Sequence, residues 1–151
     1  LAAALIERYA NDDEHHFSDF MEKAEQLSRD PLQQLLIFIG LFIEMTEQLE
    51  EPFPGCLYAA YCYQSGAISS GVMDQIERMM HFWREQLSTK LSEVCKLYAP
   101  RIPVEHHQVA DHVLTTFEGA FVLSKVMNEP KLASEQLVQC RNYVELLFSR
   151  E

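Results

Sequence analysis

Six prolines set the architecture of this chain before any other feature does. Pro31, Pro52, Pro54, Pro100, Pro103 and Pro130 fall between stretches of helical periodicity and interrupt none of the strong apolar stripes. Proline lacks a backbone donor and clashes with the preceding turn, so it suits helix starts and connections but not helix interiors. The prolines therefore mark joints. The segments between them read as helices over 2–28, 31–49, 55–65, 71–98, 105–127 and 131–149. No strand is needed, and the expected fold class is all-α with six helices. A chain of 151 residues, 48% apolar and with only five Gly, is expected to form one domain over 1–151 with one sizeable core; disordered and collagen-like classes are excluded.

The stripes differ from helix to helix. Asp30-Pro31 is a strong helix start, because the carboxylate can accept backbone N–H groups and proline's missing donor costs nothing at the first turn. Leu32, Leu35, Leu36, Ile39, Phe42 and Ile43 then recur at three- and four-residue steps, the pattern of a helix buried on most of its circumference. Ser70 precedes a longer run through Val72, Ile76, Met79, Met80, Trp83, Leu87, Leu91, Val94 and Tyr98, a spine of about 40 Å at 1.5 Å per residue. The fifth segment carries two adjoining stripes, Val109, Val113, Phe117, Ala120 and Ser124 beside Ala110, Leu114, Phe121 and Val126; the last helix does the same. That is wider than one monomer core requires, and it implies an isologous helical dimer. Gly119 fits such a contact because glycine within a helix costs about 1 kcal/mol and suits a close backbone approach; its alternative is internal packing.

Several classes fall away. The apolar run from Leu35 to Ile43 is far shorter than the roughly twenty residues a membrane helix needs, and Leu1 to Ile6 lacks the basic leader of a signal peptide. Cys56, Cys62, Cys95 and Cys140 form no CxxC pair, which suits reduced thiols and a cytoplasmic location. A formal charge of −11 argues against direct neutralisation of DNA phosphates. The opening Leu1-Ala2-Ala3-Ala4 begins inside a helical pattern with no cap, so further sequence is expected upstream.

The order of these segments, with Pro54-Gly55-Cys56-Leu57 opening a short helix, Phe82-Trp83-Arg84 in the long one, Phe117-Glu118-Gly119-Ala120-Phe121-Val122-Leu123 in the penultimate one and Glu129-Pro130-Lys131-Leu132 leading into the last, resembles the C-terminal domain of TetR-family transcriptional regulators over nearly the whole chain. Glu129 is a weaker cap than the Asp often found there. The resemblance implies a sensor domain that pairs through a four-helix bundle of its last two helices and encloses a small effector. It also implies a connector helix over 1–28, and operator DNA bound only through an N-terminal helix-turn-helix that these residues lack. The intact protein would be a repressor released by its effector. The expected dimer interface is Gly119, Ala120, Leu123, Met127, Leu137, Cys140, Tyr143, Val144 and Leu147.

Phe17, Met21, Phe38, Phe42, Met45, Tyr58, Tyr61, Met80, Trp83 and Phe117 point toward the interior from several helices, and such a set can line a cavity for a hydrophobic or amphipathic ligand. Ordinary core packing explains each one singly. Glu44 and Glu118 are candidate polar handles, with solvated placement as the alternative. His107 and Asp111 share a helix face, but two ligands do not make a metal site, and neither HExxH nor ExxH occurs. Cys56 at a helix start could be a redox thiolate or a buried structural thiol. No nucleophile elbow or phosphate-cradling loop appears, so neither catalysis nor a cofactor is expected. The rival from another class is a helical interaction or scaffold module with a filled core.

Overall fold

The computed structural model describes residues 2–63 and 70–149, and among these every regular element is a helix. They are α1 (Ala2–Leu27), α2 (Pro31–Glu47), α3 (Leu57–Cys62), α4 (Ser70–Leu97), α5 (His106–Met127) and α6 (Lys131–Phe148). The proline joints hold. The expected continuation of the third helix to 65 lies partly outside the described residues, and the described helix closes at Cys62 with Tyr63 as its cap. None of the described helices is long and apolar enough to cross a membrane.

Asp30 caps α2 as its chemistry dictates, its Oδ1 accepting from the Gln33 N–H at 2.9 Å while Pro31 occupies the first turn. Its second carboxylate oxygen accepts from the Tyr98 hydroxyl just beyond α4, tying two joints together. α5 ends on Asn128 in the left-handed conformation, φ 56°, a common way to stop a helix, and Ser124 Oγ donates to the Glu129 carbonyl at 2.8 Å. Glu129 makes no cap for α6. Pro130 occupies that position without a side-chain bond.

α2 is the hub, packed against α1, α4 and α6, while α5 fills the gap between α4 and α6. The main core joins Leu35, Phe38, Ile39 and Ile43 of α2 to Leu87, Leu91 and Val94 of α4 and to Leu137, Val144 and Phe148 of α6. A second, smaller cluster sets Ile6 of α1 and Tyr58 of α3 against Val72, Ile76 and Met79 of α4. Lys90, only 6% exposed, reaches Glu25 of α1 and Gln34 of α2 at 2.8 Å each and Glu93 at 2.9 Å. A buried ammonium needs such partners, and their sources fix α1, α2 and α4 relative to one another.

The burial pattern corrects part of the expected interface. Ala120, Leu137, Cys140, Val144 and Leu147 are internal to the chain, because α6 turns its apolar stripe onto α2 and α5. Tyr143 is half-buried, its ring 4.9 Å from that of His112. What stays exposed is one face of the second half of α5: Gly119, Val122, Leu123, Val126 and Met127, with Leu146 exposed on α6.

Candidate functional site

A half-enclosed cavity of about 150 Å³ opens between the two core clusters. Each wall follows from helical spacing. α1 contributes Tyr9, Asp13, His16 and Phe17; α2 contributes Phe38, Phe42 and Met45. α4 supplies Met80, Trp83 and Leu87, and α5 supplies Val113, Leu114, Phe117, Glu118 and Phe121. In each set the steps are mainly three and four residues, which places the side chains on one helix face. Phe53 and Cys56, from the connection between α2 and α3, complete the lining.

The aromatic wall is continuous. Phe17, Phe38, Phe42 and Phe117 meet edge to face in sequence, at centroid separations of 4.8, 5.2 and 4.9 Å. Phe53 lies against Phe121 at 4.6 Å, and Trp83 against Tyr58 at 5.6 Å. Such contacts lock the rings in place and add stabilisation beyond area burial. A cavity of this volume with apolar walls is large enough for a single ring compound.

Of the ten residues assigned to a ligand site from sequence, Phe17, Phe38, Phe42, Met45, Met80, Trp83 and Phe117 line the cavity. Met21 is one turn further along α1 and belongs to the main core. Tyr58 and Tyr61 belong to the second cluster, one layer behind the wall. Glu44 is exposed on α2 and Glu118 lines the cavity, which separates the two candidate handles. Asp111 is occupied elsewhere: the Arg84 guanidinium donates to it bidentately, Nε to Oδ1 at 2.6 Å and Nη2 to Oδ2 at 2.8 Å. Among the described residues no cluster of His, Cys, Asp and Glu is arranged to hold a metal.

Burial shifts the acidic groups at the cavity toward their neutral forms. Desolvation lifts the Asp13 carboxyl to about 6, against opposing pulls from Tyr58 and His16. Burial likewise raises Glu118, which the Cys56 thiol partly offsets, and lifts Tyr9 to about 12. Cys56 is pushed up to about 12, by burial first and then by the Glu118 carboxylate, so it stays a thiol and the redox-thiolate possibility loses its electrostatic basis. Among the described residues the buried Tyr58 hydroxyl and the Trp83 indole N–H make no well-formed hydrogen bond within the chain. Spacing alone could have found Tyr9, Asp13 and His16, which share the α1 face of Phe17. Phe53 carries no such signal.

Neither a family model nor a curated protein sequence matches this chain. Among solved structures it is similar to a TetR-family transcriptional regulator from Agrobacterium tumefaciens, with a TM-score of 0.76 and 16% identity, over 98% of this chain and 73% of that one. At that identity the similarity is one of backbone architecture. The chain has the helical fold of a TetR-family transcriptional regulator.

Proposed function

We propose that the chain is the effector-binding and dimerisation part of a TetR-like transcriptional regulator, a binding domain rather than an enzyme. The observation that carries this proposal is the aromatic cavity of about 150 Å³, set between α1 and the rest of the bundle. Because α1 forms one wall, a ligand filling the cavity bears directly on that helix, and a ligand preferring one α1 position shifts the population toward it. With α1 as connector to a helix-turn-helix, that shift changes the spacing of two DNA-reading heads, and effector binding releases operator DNA. The net charge of −11 supports leaving DNA contact to that separate module.

Dimerisation is assigned to the exposed face of α5, with Leu123, Met127 and Gly119 retained from the expected interface and Val122 and Val126 added. Gly119 supports this assignment: a Cβ there would meet nothing within 4 Å, so packing inside the chain does not account for the glycine. Leu146 is a further exposed apolar residue, on α6.

The test is thermal melting against a panel of one- and two-ring hydrophobic compounds. A ligand at a hundred times its Kd is expected to stabilise by about 2.7 kcal/mol, which for a chain of this size moves the midpoint by roughly 5 to 10 °C. Phe42→Arg, which fills the cavity with a charged side chain, is expected to abolish the rise while leaving the dimer intact. No rise across the panel contradicts the proposal.

A further inference from the structure

The cavity's polar groups carry one sign. Asp13 and Glu118 both face it, and among the described residues that line it there is no Lys or Arg and the one base is His16. Neither cavity carboxyl takes part in the ion pairs of His81 with Glu77, Arg84 with Asp111, or Lys90 with Glu25 and Glu93. The rings of Tyr9, Phe42, Trp83 and Phe117 line the same cavity. Aromatic faces present negative charge to a ligand, and a cation near such a face is attracted to it.

Three ligand charges can be compared on this geometry. An anion would be desolvated beside two carboxyls and several aromatic rings, with no Lys or Arg among the described lining residues to receive it. A purely apolar guest would displace water from both carboxyls without replacing its hydrogen bonds, which is costly. A cation gains from both groups at once, and its own desolvation is offset by them. We propose that the cavity takes a small organic cation, an aryl or alkyl ammonium of about one ring's bulk, held between the aromatic faces and the carboxylates of Asp13 and Glu118. The proposal rests on the ligand-site reading above and names the class of effector. The raised pKa of Asp13 agrees with it, since burial outweighs the opposing pulls of Tyr58 and His16 on this carboxylate.

Trp83 is the single tryptophan of the chain and lines the cavity, so its emission reports occupancy directly. The probes are phenyltrimethylammonium and tert-butylbenzene, which share a shape and differ by one charge. The cation is expected to bind roughly ten-fold more tightly, the scale of one cation–π or partly screened charge contact. The double variant Asp13→Asn, Glu118→Gln is expected to abolish that preference while still binding tert-butylbenzene. The comparison in the unaltered protein stands even if the double variant fails to fold, and Asp13→Asn alone is expected to reduce the preference. If tert-butylbenzene changes Trp83 emission and binds as tightly as the cation, the cation class is overturned and the ligand site survives. If neither probe changes the emission, both the cation class and the ligand site are overturned.

Discussion

Asp13 is where stability and binding pull in opposite directions. Its carboxyl lies at about 6 in the folded chain against 3.8 for an ordinary aspartate, so the folded state binds more protons between those values. The resulting stabilisation is fully present below about 3.8 and is lost as the pH rises through about 6. Tyr58, His16, Asp12 and Glu118 are the groups that act on it, and Glu118, also raised by burial, contributes with the same sign. Asp13→Asn is therefore expected to raise the melting temperature at pH 7.5 by roughly 2 to 8 °C, about 1 to 2 kcal/mol after allowance for partial solvent screening. Below pH 4 the variant and the parent are expected to melt together. Equal melting at both pH values would show that Asp13 is solvated. The carboxyl was hard to assign from sequence because a single polar residue on an apolar stripe reads first as a solvated one. Its place four residues after Tyr9 and four before Phe17 was the available signal. Glu118 was legible as a candidate because it adjoins Phe117, but only the turn of α5 against α2 decided between it and Glu44.

At the scale of the element, local rules explain nearly everything. Proline placement and apolar period locate all six helices, because each helix has a stripe that must be buried and a joint that cannot be helical. The second helix shows the chemistry most clearly. Asp30 satisfies the Gln33 donor and also accepts from Tyr98, so its removal costs both a cap and a link between the start of α2 and the end of α4. Asp30→Ala is expected to destabilise by about 2 kcal/mol, the upper part of the range for a lost cap, with Tyr98→Phe costing less. Chemical denaturation of the two variants checks the order, and a larger effect for Tyr98→Phe would place the weight on the link instead. Where sequence reasoning failed at this scale, it failed in non-helical backbone. Phe53 sits in a connection whose course no periodicity fixes, and it reaches the cavity by stacking on Phe121 at 4.6 Å.

Taken as a whole, the molecule has more apolar surface on α5 than it covers. Val126 is 78% exposed and Met127 53%, one turn beyond Val122 and Leu123. The sequence revealed the excess width of this helix but not which residues formed the excess, because that depends on the angle at which α6 meets α2. Leu137, Cys140 and Val144 were spent on that internal contact. Replacing Leu123 and Val126 together by Asp is expected to convert a dimer into a monomer by sedimentation without lowering helix content. A parent protein that sediments as a monomer at micromolar concentration would contradict the interface.

The cavity itself is tested most directly by methyl NMR on protein labelled at its six methionines. Met45 and Met80 line the cavity, Met21 lies in the core behind it, and Met73 and Met127 are exposed elsewhere. On saturation with tert-butylbenzene, the Met45 and Met80 methyls are expected to shift and to show contacts to the ligand's ring protons, with Met73 and Met127 unchanged. Perturbation centred on Met127, or none at Met45 and Met80 with either tert-butylbenzene or phenyltrimethylammonium, would mean that the space between the two core clusters holds no guest.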